Sequence, residues 1–400
     1  MLSTVPITDI ALLVLAIPVL ASALYLAFLS LCSARSAAPA VDQSTFFDIV
    51  VPAHNEERGI AATIASLRAM EYPPDRFRIL VVADNCVDDT ARVARDAGAT
   101  VLERAHATER GKGYALAHAY AYSLSAGLAS AIVVIDADTS VTKNVLSAFS
   151  ARFVAGADAV QAEYGVRNPF ASWRTRLMVV ALAMFHTVRS LGRERLGLSC
   201  GLRGNGMGFS AAVLRRVPPR AFSIVEDVEY GAALGLERIR VMYVAEAEVH
   251  GDMPASSAAS KTQRERWEGG RLELIRTLVP SLVRASRGSG WSIPFDLALD
   301  LLVPPLTLLA GLIMLGTIAS IALSLFGLAS ALASAPWLIA AACLTLYIVR
   351  GAVVSGVGPR VVFDLAWAPV YAIWKISLLL RPKRVPGEWV RTARSDEIIP

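Results

Sequence analysis

The 400-residue sequence contains little charge and few cysteines. Only 18% of its residues are Asp, Glu, Lys or Arg, whereas 54% are hydrophobic, a balance that is unusual for a soluble enzyme. The four cysteines stand far apart with no CxxC spacing, which argues against a disulfide framework or a zinc site and is typical of a reducing compartment. No dense run of Lys or Arg with interleaved aromatic residues occurs, so nucleic acid is not an expected partner.

The apolar residues concentrate near the two ends of the chain. They make up residues 9–32 and 297–380, whereas residues 42–290 have the composition of a charged globular domain. The first run is longer than the apolar part of a signal peptide and has no Lys or Arg before it, so we interpret residues 1–41 as a retained transmembrane anchor. Because Arg35 follows this anchor, the positive-inside rule places the globular domain in the cytoplasm.

Residues 291–357 are predicted to contain two further transmembrane helices. The first is expected over residues 298–326, kinked at Pro304 and Pro305, and the second over residues 336–356. We therefore expect a multi-pass protein of a bacterial-type inner membrane.

Two other helical regions and the tail are predicted to lie at the membrane surface. Residues 172–191 combine apolar and Arg side chains, which favours a helix on the membrane, with a core helix of the globular domain as an equal alternative. Residues 271–290 are assigned to the same interface. The apolar stretch 362–380 contains Asp364, whose charge opposes insertion. Residues 358–400 are therefore predicted to form an interfacial helix and a cytoplasmic tail.

Short β-branched runs alternate with helical stretches in the first part of the globular domain. Asp48–Val51, Ile79–Val82 and Ile132–Ile135 are predicted strands that are apolar on both faces, as buried parallel strands are. This alternation predicts a doubly wound α/β fold that binds its ligands at the C-terminal ends of the strands.

Two carboxylates, Asp136 and Asp138, follow the third predicted strand. Standing two residues apart, they can approach one divalent cation, and Mg²⁺ or Mn²⁺ prefers oxygen ligands and often completes its shell with substrate phosphates. Such a metal would neutralise charge that develops on a diphosphate leaving group. Because an Asp-x-Asp pair also occurs in ordinary turns, the neighbouring motifs decide between the two interpretations.

Polar residues also follow the other predicted strands. Glu56 ends the run Pro-Ala-His-Asn-Glu after the first strand, and Asp84 follows the second, where a carboxylate can accept a hydrogen bond from a base. Lys112 stands between Gly111 and Gly113, which allow the backbone to approach a phosphate closely.

Two motifs follow later in the chain. Asp227 ends a Glu-Asp pair, and Gln263, Arg266 and Trp267 have the i, i+3, i+4 spacing of one helix face. An aromatic ring beside a guanidinium and an amide suits a sugar next to a pyrophosphate. The alternative is cation–π packing on a surface helix.

In this order the motifs resemble the inverting family 2 glycosyltransferases. The resemblance is closest to the processive membrane branch, which contains cellulose, chitin and hyaluronan synthases and bacterial exopolysaccharide enzymes. It covers residues 46–290 and the tail from Trp389 to Arg394, which is similar to a gating loop that folds over the nucleotide. The sequence departs from the pattern at Val225, where Thr or Ser is common. Its membrane part is also shorter than in cellulose synthases, which puts a self-contained translocation channel in doubt.

The resemblance implies a glycosyltransferase-A-type domain that binds a nucleotide-diphospho-sugar and is flanked by transmembrane helices. It implies that Asp84 contacts uracil, that Asp136 and Asp138 hold the diphosphate and the metal, and that Asp227 is the general base. The substrate-binding set is Glu56, Asp84, Lys112, Asp136, Gln263, Arg266, Trp267, Trp389, Arg391 and Arg394, of which Gln263, Arg266 and Trp267 would form the acceptor site.

The expected partners are a UDP-sugar donor, a polysaccharide or lipid-linked acceptor, and membrane lipids, with a homo-oligomer or an export partner as further options. The leading hypothesis is an exopolysaccharide-type synthase. The alternatives are transfer of a single sugar to a membrane lipid and a catalytically inactive nucleotide-binding membrane scaffold.

Overall fold

A computed structural model describes residues 6–223, 225–251, 271–360 and 363–364. The strands are β1 (Phe47–Ala53), β2 (Phe77–Asp84), β3 (Thr100–Arg104), β4 (Ala131–Val134), β5 (Ser140–Val141), β6 (Ala159–Val166), β7 (Met207–Ser210) and β8 (Val241–Gly251). The helices of the same region are α2 (Ile60–Arg68), α3 (Thr90–Asp96), α4 (Lys112–Ala126), α5 (Val145–Val154), α6 (Trp173–Leu182), α7 (Arg189–Arg195), α8 (Ala211–Arg216) and α9 (Glu226–Leu236).

All eight strands form one sheet in the order β3-β2-β1-β4-β7-β6-β8-β5. The first four are parallel, and β7 then runs antiparallel to both β4 and β6. The first two predicted strands lie within β1 and β2, which are longer at both ends, and the third is displaced by one residue from β4. Because β1, β2 and β4 are parallel neighbours, their carboxyl ends meet at one edge of the sheet.

Two apolar layers cover the faces of this sheet. On β1, Ile49 and Val51 pack with α2, α3 and α5, whereas Val50 packs with α4, α8 and α9. Every residue of β1 is buried, as expected for a central parallel strand, and the one charged residue, Asp48, pairs with Arg78. This three-layer α/β arrangement confirms the predicted fold class.

Three helical segments are long and apolar enough to cross a membrane. They are α1 (Ile7–Cys32), α12 (Leu306–Leu325) and the run Ala331–Val354, which contains α13 (Ala335–Val354). Buried side chains of all three pack together, including Leu26, Ile313 and Trp337. Membrane association is the natural consequence of these helices.

The two prolines at 304 and 305 separate two helices, so the expectation of one kinked span over residues 298–326 is wrong. Helix α11 (Ser292–Leu302) ends before them, Val303 is extended, and α12 begins at Leu306. A residue that precedes proline is disfavoured in the helical region, and proline offers no N–H to continue the ladder. Asp300 therefore lies on a separate helix outside the span.

The predicted helix over residues 172–191 is a continuous helical run made of α6, a π-helical segment Ala183–Val188 and α7. Val180 and Met184 pack against α1 and α13, and a Cβ on Gly192 would lie 2.5 Å from the carbonyl oxygen of Leu29 in α1. The run thus packs against the apolar helices, and its location at a membrane surface stays a prediction.

Helix α10 (Arg271–Ala285) packs against α9 and α11, with Leu282 fully buried among them. Its location at a membrane interface stays a prediction. The predicted interfacial helix over residues 362–380 lies outside the described residues, apart from positions 363 and 364.

Candidate functional site

Lys112, the first residue of α4, joins the ends of three separate segments. Its Nζ contacts Asp136 Oδ1 at 2.5 Å and donates a hydrogen bond to the carbonyl oxygen of Gly204 at 2.6 Å. Glu226 Oε1 lies 3.9 Å from the same nitrogen. Asp136 follows β4 and Glu226 begins α9, so the ammonium group of Lys112 lies between the end of β4 and the start of α9.

A buried amide fixes the backbone at Asp136. The Oδ1 atom of Asn205 accepts the Asp136 N–H at 3.0 Å, and its Nδ2 donates to Thr139 Oγ1 at 2.8 Å. Asn205 thereby holds both sides of the turn that contains Asp136 and Asp138. The Asp138 side chain is exposed. The structure thus places both predicted metal ligands on one short turn after β4.

Asp227 lies beside this cluster at the start of α9. Its Oδ1 accepts the N–H of Val228 at 2.9 Å, and a Cβ on Gly204 would lie 3.3 Å from its Oδ2. The carboxylate therefore borders the same glycine whose carbonyl oxygen contacts Lys112. The structure brings together Lys112, Asp136 and Asp227, three of the residues that the sequence motifs select.

The two acidic residues of α9 are held in a setting that opposes ionisation. Burial raises the pKa of Glu226 to about 7, and Lys112 offsets only part of that effect. Burial likewise raises the pKa of Asp227, against the opposing influence of Lys112. For Lys112, burial acts against its charge, but Asp136 and Glu226 outweigh burial and raise its pKa. A carboxylate with a raised pKa is suited to accept a proton near neutral pH.

Asp84 is fully buried at the end of β2 and contacts an arginine that the sequence analysis did not select. Arg104 Nη1 donates to Asp84 Oδ1 at 2.8 Å, and Nη2 donates to Glu109 Oε2 at 2.9 Å. Within the described ranges, Asp84 Oδ2 is buried with no hydrogen-bond partner. The guanidinium also lies 5.5 Å from the ring centre of Tyr114. Contact between Asp84 and a uracil stays a prediction.

Two asparagines shape the strand ends next to Glu56. Asn55 and Asn85 have positive φ angles of 56° and 51°, a conformation that Asn tolerates better than most residues. The Glu56 N–H donates to Thr90 Oγ1 at 2.7 Å, which ties the end of β1 to the first residue of α3. Glu56 therefore follows β1 at the same sheet edge as Asp84 and Asp136.

The remaining predicted site residues lie outside the described residues. They are Gln263, Arg266, Trp267, Trp389, Arg391 and Arg394.

Arg203 and Asn205, in the turn before β7, are not among the site residues predicted from the motifs. Gly201, Gly204 and Gly206 have φ angles of 75°, 78° and 68°, so the turn depends on glycine at those positions. The signal was present as an Arg and an Asn between closely spaced glycines.

Comparisons with known proteins agree with this fold. The model of the family described as "Glycosyltransferase like family 2" matches residues 45–270. A mannosyltransferase from Pyrobaculum calidifontis, solved with GDP-Man and Mn²⁺, has a TM-score of 0.55 at 17% identity. That alignment covers 89% of this chain and 98% of the mannosyltransferase, and it shows that the glycosyltransferase-A-type fold is shared.

Two curated relatives are also similar in sequence. An uncharacterised glycosyltransferase of Mycobacterium bovis is 33% identical over 211 residues, which are 47% of this chain and 86% of the relative. The 4,4'-diaponeurosporenoate glycosyltransferase of Staphylococcus aureus is 36% identical over 92 residues, which are 23% of this chain and 24% of that protein. Since the family model matches more than half of the sequence, the chain belongs to glycosyltransferase-like family 2.

Proposed function

We propose that the protein transfers a sugar from a UDP-sugar to an acceptor hydroxyl with inversion at the anomeric carbon. The observation that carries this proposal is the position of Asp227, a carboxyl with a raised pKa, beside the Lys112–Asp136 pair at the C-terminal edge of the sheet. In doubly wound folds this edge is where nucleotide ligands bind.

The proposed reaction is a single displacement. Asp227 accepts the proton of the acceptor hydroxyl, whose oxygen forms a bond to the anomeric carbon while the bond from that carbon to the UDP oxygen breaks. Attack from the side opposite to UDP inverts the anomeric configuration. General base catalysis of this kind contributes about 10²–10⁴-fold to the rate. Lys112 stabilises the negative charge on the departing diphosphate.

The residues after β4 fit a divalent cation. Asp136 and Asp138 offer hard oxygen ligands, and within the described part of the chain no third His, Cys, Asp or Glu joins them. This limited set suits Mg²⁺ or Mn²⁺, which complete their coordination with substrate phosphates and water. When bound, the metal would supply charge neutralisation at the diphosphate. The Pyrobaculum mannosyltransferase was solved with Mn²⁺, which supports the proposal.

Excess EDTA should therefore remove transfer activity, and added MnCl₂ or MgCl₂ should restore it. Full activity in EDTA would contradict the metal assignment.

The central experiment replaces Asp227 by Asn. Loss of the base should lower the transfer rate by about 10²–10⁴-fold, whereas calorimetry should show nearly unchanged UDP affinity, because the base contacts the acceptor and not the nucleotide. Glu229→Gln, which removes the same charge from the first turn of the same helix, is the matched control and should retain activity. A collapse of UDP affinity in Asp227→Asn would assign this residue to the donor.

Two acceptor classes fit this chemistry, a growing polysaccharide and a membrane lipid. The helical run α6–α7 packs against the apolar helices on one side. On its other side, Phe185 contacts Arg203 of the glycine turn, which lies beside Asp227. This position favours a lipid acceptor. We further propose that the sheet domain faces the cytoplasm of a bacterial-type inner membrane. Incubation with radiolabelled UDP-sugar would separate the acceptor classes, since a polymer elutes at high mass and a lipid product extracts into organic solvent.

A further inference from the structure

A layer of charged side chains lies between the sheet domain and the apolar helices. Arg193 of α7 is fully buried and pairs with Asp296 and Asp300 of α11, both at 2.8 Å. Arg189 pairs with Asp300 at 2.9 Å and donates to the hydroxyl of Tyr347 in α13 at 2.9 Å. Ion pairs therefore connect α7 to α11, and a hydrogen bond connects it to a candidate membrane helix.

Arg203 extends this layer toward the candidate active site. Its guanidinium lies 4.6 Å from the ring centre of Phe185, and that of Arg189 lies 4.9 Å from the same ring. Three guanidinium groups thus share two carboxylates, Asp296 and Asp300. The layer carries one positive charge more than these partners balance.

Arg203 is the cation without a close counter-charge. Among the described residues, no carboxylate lies within ion-pair distance of it. Its Nη2 donates to the carbonyl oxygen of Cys200 at 3.0 Å, but its Nε is buried with no hydrogen-bond partner in the described part of the chain. Burial lowers the pKa of Arg203; the charge of Asp300 opposes this effect, and the charges of Arg193 and Arg189 reinforce it. A partly buried cation in this state is stabilised when an anion joins it.

The location of Arg203 restricts what that anion can be. On one side the next residue, Gly204, borders the Asp227 carboxylate, which experiences the charge of Arg203. On the other side Phe185 belongs to the π-helical segment that packs against α1 and α13. A ligand at Arg203 therefore lies between the proposed base and the apolar helices.

We propose that Arg203 binds the phosphate group of an amphiphilic acceptor, so that the acceptor's reactive end reaches Asp227. The proposal rests on the function proposed above and specifies its acceptor class. Guanidinium groups bind phosphate through paired, charge-assisted hydrogen bonds. The guanidinium of Arg203, which is only partly buried, supplies the donors, and the apolar helices next to Phe185 supply a surface for the acyl or alkyl part. A neutral sugar chain would leave the charge of Arg203 unbalanced.

The test measures ligand binding to the full-length protein in dodecyl maltoside micelles. Dodecyl phosphate is titrated as the amphiphilic probe, inorganic phosphate as the free anion, and UDP in parallel as a check on the donor site. The variants are Arg203→Gln, Arg203→Lys and Arg92→Gln, the last of which removes the same charge from an exposed position.

We expect dodecyl phosphate to bind the parent protein and Arg92→Gln at least about tenfold more tightly than Arg203→Gln, with UDP affinity equal in all three. Arg203→Lys should lose part of the affinity, because an ammonium cannot make the paired contact. Inorganic phosphate should bind far more weakly than dodecyl phosphate.

Equal binding of dodecyl phosphate to the parent protein and Arg203→Gln would overturn the proposal. Equal affinity of the parent protein for dodecyl phosphate and inorganic phosphate would show that the ligand is not an amphiphile. A parallel loss of UDP affinity in Arg203→Gln and Arg203→Lys would show that Arg203 binds the donor. Because the readout is binding, Asp227→Asn should still bind dodecyl phosphate. Failure of this proposal is thereby distinguishable from failure of the proposed transfer reaction.

Discussion

Lys112 and the two carboxyl groups of α9 illustrate how single residues set the chemistry of this site. Glu226 and Asp227 occupy positions where burial favours the protonated form, and Lys112 is the cation that opposes this effect on both. The Nζ of the same lysine is 2.5 Å from Asp136 Oδ1, so one ammonium group lies beside acidic residues of both α9 and the turn after β4. Removal of this one charge should therefore be visible in the ionisation of its neighbours.

We expect kcat/KM to fall about tenfold for each pH unit below the pKa of Asp227, which burial raises above its usual range, because the base must be unprotonated in the free enzyme. In Lys112→Met the acidic limb should move to higher pH, since the cation that lowers both carboxyl pKa values is gone. The pH profile of initial rates is the measurement. Lys143→Met, which removes an exposed lysine paired with Glu71, is the control. An unmoved acidic limb in Lys112→Met would show that Lys112 does not influence the base.

At the scale of elements, the contact between α7 and α1 depends on one glycine. Helix α7 carries Arg189 and Arg193, so its position against α1 also positions the charged layer. At Gly192 a Cβ would meet the backbone of Leu29 at 2.5 Å, and backbone atoms cannot move aside as a flexible side chain can. The close approach of the two helices therefore requires the absence of a side chain there.

Gly192→Val should lower the unfolding free energy by about 2 kcal/mol, the magnitude typical of overpacking in a well-packed contact. Gly311→Val is the matched control, because a Cβ on Gly311 of α12 meets no atom within 4 Å. Thermal unfolding in detergent compares the two variants. A larger effect at Gly311 than at Gly192 would contradict the proposed role of the α1–α7 contact.

At the scale of the whole molecule, the apolar helices have two distinct ends. Asp9 Oδ1 near the start of α1 accepts the N–H of Ser330 at 2.9 Å, so this start lies beside the connection between α12 and α13. At the other end, Arg350 Nε of α13 donates to Ser33 Oγ at 2.8 Å, just after α1. The sheet domain follows Ser33 in the chain and therefore lies at the opposite end from Ser330.

Which of the two ends faces the cytoplasm is a prediction from the sequence, which places the sheet domain inside. In a variant without the four native cysteines, a cysteine at Ala331 should react with a membrane-impermeant reagent in intact cells. A cysteine at the exposed Ser125 of α4 should react only after permeabilisation. The opposite pattern of labelling would reverse the topology. The predicted cytoplasmic position of the tail that contains Trp389 stays a prediction.

Local sequence pattern was sufficient for much of the fold and for part of the site. Strands that are apolar on both faces predicted β1, β2 and β4, and polar residues after them predicted the sheet edge that holds Asp84 and Asp136. Long apolar runs located the three candidate membrane helices. These features depend on burial and backbone preference within one segment, which a periodic pattern records directly.

Contacts between distant segments were decided only by the tertiary structure. The pairing of Asp84 with Arg104, the approach of Lys112 to Glu226, and the unbalanced charge of Arg203 have no local signature. The predicted span over residues 298–326 includes Asp300, whose carboxylate instead pairs with Arg189 and Arg193 on another helix. The sequence determined which segments are apolar and where polar residues end them. Which charges meet depended on how helices pack across the sheet and against one another, because ion pairing is set by distance in space and not by spacing along the chain.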